Sequence, residues 1–338
     1  MIKTNETKKV NNEISIKEVQ SLYFNSDAIQ ESGIILRRLD YAGKRNYFTV
    51  TEENQLDKMY TSTTTFTKAV LPTSPYLLDW MKNKSKEEQD FILKSSSTYG
   101  TLMDILYSQL IISGTVENIA EQTIEFTKAE NLQTINHNKW IEQLKKDCLS
   151  FAQFVKDYDV KPLLVSCPLK SERYQLAGTL DLLCSMNEKI PTQTDIKKGV
   201  EIKRIVAIVD YKAKIGDFSL KSDRSSFYES ECLQVLIYRY LLKENFEDYS
   251  NVSLCNFSPS NWRTNPGYNF KRWDNTKVLE GMEMKLVNYW SNFRIDNASN
   301  ERSVMEIEDK ITLENFNDEF RTIPLTDYIN KNLQETIL

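Results

Sequence analysis

Two aspartates and a lysine that follow apolar segments are the residues of this chain best suited to chemistry. Asp210 and Lys212 come directly after the run Ile205–Val209, and Asp181 comes after Ala177–Leu180. Side chains alternate along a strand, so Asp210 and Lys212 are expected to project from the same face. Buried charges are costly unless they have partners, which favours an arrangement in which the three groups lie together.

Carboxylates at the ends of neighbouring strands suit a hard divalent cation. Mg²⁺ and Mn²⁺ prefer carboxylates, backbone carbonyls and waters, and the carbonyl of Tyr211 is well placed to contribute. Such an ion would lower the pKa of a bound water and offset charge on a phosphorane, while Lys212 would act on the water or on developing negative charge. For the pair Asp210 and Lys212 alone, an ordinary solvated strand end is the alternative.

A helix after these strands adds a glutamine and a tyrosine. Gln234 and Tyr238 are four residues apart in the amphipathic segment 229–242, so they share one helix face. The amide can hold an attacking water or a phosphate, and the phenol can bond a phosphate or stack on a base. A tyrosine of the helix core beside a chance glutamine is the alternative.

The elements that must position these side chains follow an alternating pattern. We predict strands at 161–168, 174–186, 202–213 and 253–258, helices at 82–96, 98–113, 117–126, 138–157 and 275–293, and a hairpin within 35–60. The polar segment 187–201 is predicted to be a long loop. The pattern favours a single α/β domain with helical additions on its N-terminal side.

Composition sets the broad class. The chain has 338 residues and a net charge of −5, and its last forty residues hold nine acidic and four basic side chains. The preceding body is therefore neutral, which leaves room for a local basic groove. The N-terminus lacks the apolar core of a signal peptide, and the apolar runs are too short to span a bilayer. We therefore predict a cytoplasmic protein without a membrane partner, or one that acts in the cytosol of a host.

In combination, the motifs G-T-x-D ending at Asp181, D-Y-K at 210–212 and Q-x-x-x-Y at 234–238 resemble the PD-(D/E)XK nuclease superfamily. Within it they are similar to the RecB-like exonucleases of phage recombination and replication systems. The resemblance loosely covers Lys44 to Ser258, with Tyr60–Trp80 similar to the S-V-T-T…L…W segment of that branch. It implies a restriction-endonuclease-like mixed sheet flanked by helices.

The resemblance also implies roles for individual residues. Asp181 and Asp210 would be metal ligands, Lys212 catalytic, and Gln234 and Tyr238 supporting. Segment 99–109 is similar to the G-x-x-x-H helix of the family, but Asp104 stands where the histidine is usual. We interpret Asp104 as a substituted ligand, with a surface acid as the alternative.

Two further departures concern cofactors. Ser166 stands where many relatives carry a glutamate, which leaves one or two metal ions open. The five scattered cysteines do not have the spacing of the iron–sulfur cluster that some relatives hold, so we predict none.

We thus predict a Mg²⁺- or Mn²⁺-dependent deoxyribonuclease in the cytosol of a bacterium or a phage-infected host. An exonuclease that processes linear ends in recombination, replication or repair is the favoured form. A catalytically inactive nuclease-fold module for DNA binding or assembly is the alternative. The sequence leaves open the strand polarity, the choice between exonuclease and endonuclease action, and the preference for single- or double-stranded DNA. It also leaves open whether the protein has recombination partner proteins or forms a homo-oligomer. We predict an arm at 1–30, a nuclease domain at 31–298 and an acidic extension at 299–338. The predicted DNA contacts are Lys214, Lys221, Arg224 and Arg239.

Overall fold

The computed structural model describes residues 36–41, 44–50, 56–73, 75–116, 118–214, 227–246, 249, 251–274 and 277–284. The strands bounded there are β1 (Arg37–Tyr41), β2 (Lys44–Val50), β3 (Leu56–Ser62), β4 (Lys161–Ser171), β5 (Leu176–Asn187), β6 (Arg204–Tyr211), β7 (Ser253–Pro259) and β8 (Tyr268–Arg272). The helices are α1 (Thr63–Val70), α2 (Pro75–Lys82), α3 (Lys86–Ser113), α4 (Ile119–Ala129), α5 (His137–Asp157), α6 (Gln193–Lys198) and α7 (Glu229–Asn245). A further helical stretch covers 277–284. The predicted arm and acidic extension lie outside the described residues.

The apolar, β-branched strand β6 lies inside one mixed sheet. It pairs antiparallel with β5 and parallel with β7, and β8 continues antiparallel from β7. On its other edge β5 pairs with β4 along most of its length. The meander β1–β2–β3 joins through a short parallel contact in which Thr61 and Ser62 of β3 pair with Leu176 and Ala177 of β5. The fold is therefore mixed α/β, as the alternating pattern predicts.

The sheet opens beside Asp181. Since β4 occupies one edge of β5, the strands β3 and β6 share the other edge. β3 pairs with the start of β5, and β6 pairs with it only from Leu182 to Asn187. In the described sheet, residues 178–181 of this edge therefore pair with neither strand. A gap between two strands leaves backbone and side chains free to face a ligand.

Two apolar cores cover the faces of the sheet. On one face α3, α4 and α5 pack an aromatic cluster in which Tyr107 stacks on Phe151 with ring centroids 4.3 Å apart, next to Phe257. On the other face α7 packs against β4, β5 and β6, with α1 beside it. The sheet therefore lies between helices on both faces. This packing fixes the strands that border the gap beside Asp181.

Tyr211 belongs to the aromatic core, opposite in direction to Asp210. Its hydroxyl is buried and has no hydrogen-bond partner among the described residues. An unsatisfied buried hydroxyl reduces stability, so Tyr211→Phe is expected to leave the free energy of unfolding unchanged or raise it by up to about 1 kcal/mol. Because the predicted contribution of Tyr211 to the site is its backbone carbonyl, activity should not change. Urea denaturation beside a nuclease assay checks both; a large loss of activity would show that the phenol takes part.

The local sequence explains where the predicted elements differ from the structure. The two helices predicted at 82–96 and 98–113 form one continuous helix, α3, which begins at a capping box formed by Ser85 and Glu88. The segment 187–201, predicted as a loop, contains α6, and that prediction was wrong there. A capping box of Thr192 and Asp195 nucleates this short helix, and Gly199 ends it with a left-handed backbone. In the part of the chain that the structure describes, no helix is long and apolar enough to cross a membrane.

Candidate functional site

The gap in the sheet gathers three aspartates from three elements. Asp104 comes from α3, Asp181 from β5 and Asp210 from β6, and each lies near enough to another to influence its ionisation. The backbone N–H of Tyr211 donates to Oδ2 of Asp181 at 2.7 Å, which fixes this carboxylate against the end of β6. The residues that the sequence singles out on separate segments thus lie at one place in the fold.

Lys212 connects the carboxylates to helix α7. Its Nζ lies 2.7 Å from Oδ2 of Asp210 and donates to Oε1 of Gln234 at 3.0 Å. The carboxylate of the pair is buried, with the Asp210 side chain only 2% exposed, whereas the Lys212 side chain is 21% exposed. The shared face of Asp210 and Lys212 follows from the alternation of side chains along β6. A lysine held by two oxygens has a defined position rather than a solvated, mobile one.

A chain of polar contacts extends from Lys212 through α7 to the start of α1. Nε2 of Gln234 donates to the hydroxyl of Tyr238 at 3.4 Å, and Oγ1 of Thr63 donates to the same hydroxyl at 3.3 Å. Sequence reasoning did not single out Thr63. The signal available was its place after Ser62, which caps α1. The amide of Gln234 is therefore fixed at both ends, and it holds Lys212.

Gly178 leaves the space that Tyr238 and Thr63 occupy. A Cβ at this position would lie 2.9 Å from Cε1 of Tyr238 and 3.0 Å from the side chain of Thr63. Both neighbours are buried, so they have little room to move. The close approach of β5 to α7 thus depends on the absence of a side chain at 178.

Gly178→Ala is expected to lower both stability and activity. Overpacking of this kind costs about 1–3 kcal/mol in the free energy of unfolding, and the displaced Tyr238 would release Gln234 and Lys212. We expect roughly a tenfold lower rate, on the scale of a catalytic group moved out of its productive geometry. Gly100→Ala is the matched control, since its Cβ would meet only Ala213, at 4.0 Å. Equal behaviour of the two variants in denaturation and nuclease assays would contradict this account.

Behind Asp210 lies a buried amide that sequence reasoning did not identify. Nδ2 of Asn256, on β7, donates to Oδ2 of Asp210 at 2.7 Å, and Nε1 of Trp273 donates to Oδ1 of Asn256 at 2.7 Å. The available signal was a lone asparagine inside the apolar strand sequence SLCNFSP. A fully buried polar side chain in such a strand calls for a partner.

Burial and mutual repulsion shift the pKa values of the three carboxyls. Desolvation, followed by the charge of Asp210, raises the pKa of Asp104 from 3.8 to about 7. Desolvation, together with the charges of Asp104 and Asp210, raises the pKa of Asp181 well above its ordinary value. Desolvation also raises the pKa of Asp210, against the opposing effect of Lys212. An added positive charge would stabilise the ionised form of these carboxyls and so act to lower their pKa values.

Lys212 is the positive charge already present. Desolvation acts to lower the pKa of its ammonium, but Asp210 and Asp181 outweigh this effect and raise the pKa. The side chain therefore remains protonated at neutral pH. In that state it can stabilise developing negative charge or orient a water, but it cannot accept a proton.

The donor set suits a hard divalent cation. Oδ1 of Asp104 is buried and has no hydrogen-bond partner among the described residues, although buried carboxylate oxygens normally have one. As the described side chains stand, no group of three or more His, Cys, Asp or Glu residues is already arranged around an ion position. Three carboxylates and the Tyr211 carbonyl are nevertheless the oxygen ligands that Mg²⁺ and Mn²⁺ prefer.

Ser166 is the residue at which the sequence resemblance leads one to look for a glutamate. It is buried, with a left-handed backbone (φ 45°), and its Oγ lies 2.7 Å from Oγ of Ser108. Ser108 is one turn beyond Asp104 on α3. The pair of hydroxyls thus ties the helix that carries Asp104 to strand β4. Neither hydroxyl supplies the negative charge that a glutamate would.

The predicted DNA contacts divide into two groups. Lys221 and Arg224 lie outside the described residues. Lys214 is largely buried and forms an ion pair with Glu231, and its Nζ lies 4.2 Å from the ring centroid of Tyr228. Arg239 pairs with Glu283 at 2.5 Å. Both described cations therefore have acidic partners, and their contact with DNA stays a prediction.

Comparisons of the chain with protein-family models and with curated proteins find no match.

Proposed function

We propose that this protein is a Mg²⁺- or Mn²⁺-dependent deoxyribonuclease with a restriction-endonuclease-like core. One observation carries the proposal. Three carboxylates and a half-buried lysine from three elements meet where the sheet opens, and one carboxylate oxygen has no partner among the described residues. Perturbed acids that converge with a lysine at a gap in the fold are typical of catalytic sites.

In this proposal Asp104, Asp181, Asp210 and the Tyr211 carbonyl hold the cation. When bound, the cation supplies a Lewis acid for the phosphate and lowers the pKa of a water. The charges that the carboxylates bring together need such a partner, because Lys212 alone leaves them in excess. The substituted ligand Asp104 is as suitable for a hard ion as the usual histidine.

The protein's own residues do the rest. Lys212, held by Asp210 and Gln234, presents an ammonium to the negative charge that grows on the phosphate. Gln234, fixed through Tyr238 and Thr63, keeps that ammonium in place. The resemblance to RecB-like exonucleases supports DNA as the substrate and recombination, replication or repair of phage type as the setting.

The test is degradation of linear and covalently closed DNA by the purified protein, with Mg²⁺, Mn²⁺ or EDTA. We expect loss of linear DNA that requires the metal ion and spares closed circles, which would indicate an exonuclease. Cleavage of closed circles as well would indicate an endonuclease. If neither substrate is degraded with either metal, the proposal fails. DNA binding in its place would then favour the inactive module.

A further inference from the structure

Asn256 lies directly under the carboxylate of Asp210. The two residues are register partners on the parallel strands β7 and β6, and Asn256 is fully buried. Its Nδ2 donates to Oδ2 of Asp210 at 2.7 Å. A buried amide costs free energy unless its hydrogen-bonding groups are satisfied, so the contacts of this side chain matter for stability as well as for the site.

Trp273 determines which way this amide faces. Its Nε1 donates to Oδ1 of Asn256 at 2.7 Å, and an indole nitrogen can only donate. The oxygen of the amide must therefore face the indole, and the nitrogen must face Asp210. The backbone N–H of Trp273 donates to the carbonyl of Leu254 at 2.9 Å, which anchors the indole to strand β7.

Two donors thus converge on a single oxygen of Asp210. Lys212 and Asn256 both contact Oδ2 at 2.7 Å, one from the end of β6 and the other from β7. Oδ1 takes neither of these bonds. Fixing one oxygen from two directions sets the rotation of the carboxylate and leaves the other oxygen as the ligand atom.

We propose that Asn256 and Trp273 are positioning residues that orient Asp210 for a divalent cation. The inference rests on the proposed function, because it assigns them to the same metal site. Groups that hydrogen-bond a metal ligand commonly change metal affinity by about 10- to 100-fold when they are removed. The hydrogen bonds from Trp273 to Asn256 and from Asn256 to Asp210 form a relay. This relay makes the environment of the Trp273 indole sensitive to what Asp210 binds.

Two variants separate this role from general packing. Trp273→Phe keeps an aromatic ring and removes the N–H that reaches Asn256. Trp262→Phe removes a comparable N–H, which donates to Oγ of Ser150 at 2.9 Å and has no link to Asp210. We expect calorimetric Kd values for Mn²⁺ to rise about tenfold in Trp273→Phe and to stay unchanged in Trp262→Phe.

A second measurement uses the folded wild-type protein. With ¹⁵N-labelled tryptophan, the chain gives five indole N–H resonances, which are assigned by single Trp→Phe replacements and, where one variant does not fold, by elimination. Mg²⁺ is expected to shift the Trp273 resonance but not that of Trp262, and Asp210→Asn should abolish the shift.

The outcomes distinguish the relay from the site itself. If the wild-type protein binds Mn²⁺ but Trp273→Phe binds it equally well, or if the Trp273 resonance ignores Mg²⁺, the relay is overturned and the proposed function stands. If the wild-type protein binds no divalent cation, both are overturned. A tenfold loss confined to Trp273→Phe, with a metal-dependent Trp273 shift, supports the relay.

Discussion

Replacing Lys212 by alanine is expected to lower the rate of DNA degradation by about 10³-fold, the range observed when a positioned acid–base or electrostatic group is lost. The ammonium lies between Asp210 and Gln234, and it is the one catalytic cation that the proposal assigns. Its loss should reduce kcat far more than it raises KM, because the charge it stabilises develops mainly in the transition state. Steady-state rates on labelled linear DNA measure both constants.

Folding must be separated from catalysis in this experiment. Lys212→Ala leaves Asp210 buried without its cation, and breaking a buried pair can cost about 3–5 kcal/mol. The double variant Asp210→Asn with Lys212→Met removes both charges and should regain stability while remaining inactive. Lys170→Ala is the matched control, because Lys170 also lies 2.7 Å from a carboxylate two residues away, that of Glu172. Comparable losses of activity in Lys170→Ala and Lys212→Ala would contradict the assignment.

Asp104→Asn is expected to make the metal-free protein more stable and the enzyme inactive. The pKa of Asp104 is raised from 3.8 to about 7, chiefly by desolvation, so the folded state holds a proton that the unfolded state releases. This contribution to stability is present below pH 3.8 and is lost as the pH rises through about 7. Above that pH the ionised, desolvated carboxylate lowers the free energy of unfolding. The uncharged amide of Asp104→Asn removes this cost.

Denaturation with EDTA at two pH values measures this effect. At pH 8 we expect Asp104→Asn to exceed the wild type by about 1–3 kcal/mol, less than the full shift implies because the side chain is only partly buried. Near pH 4 the two should be alike. Mg²⁺ should stabilise the wild type and not the variant. Asp147→Asn is the contrasting control, because this buried carboxylate already accepts bonds from Tyr99 and Gln143 and should lose stability. An Asp104→Asn variant that keeps full activity would contradict a ligand role.

The contact between Asp210 and Lys212 could be predicted because it depends on local geometry. Alternation along a strand places residues 210 and 212 on one face whatever the rest of the fold does. The proximity of Asp181 to Asp210 could be predicted from the expectation that β5 and β6 are neighbouring strands. Sequential strands usually pair, and these do.

Other features depend on pairings that periodicity does not encode. Asn256 reaches Asp210, and Trp273 reaches Asn256, only because β7 runs parallel to β6 and β8 returns beside it. The short strand β8 was not predicted, so the position of Trp273 could not be either. Thr63 reaches Tyr238 through the close packing that Gly178 allows, a contact between elements 175 residues apart in sequence.

For Asp104, the family resemblance led to a more specific prediction than the hydrophobic periodicity of the helix did. Periodicity marked it only as an acid out of place in an apolar helix, which fits a surface residue as well as a ligand. The resemblance predicted that Asp104 is a metal ligand together with the other two aspartates. In the structure its Oδ1 is buried without a partner among the described residues, while the same α3 face ties to β4 through Ser108.

We propose that Asp104, Asp181 and Asp210 together bind the ion on which DNA hydrolysis depends. Crystals grown with Mn²⁺ test this directly through anomalous diffraction recorded near the manganese edge. We expect an anomalous peak within bonding distance of oxygens from all three carboxylates, and no such peak in crystals of Asp210→Asn. If the protein degrades DNA with Mn²⁺ but its manganese peak lies elsewhere, the three aspartates are not the ligands of the catalytic ion.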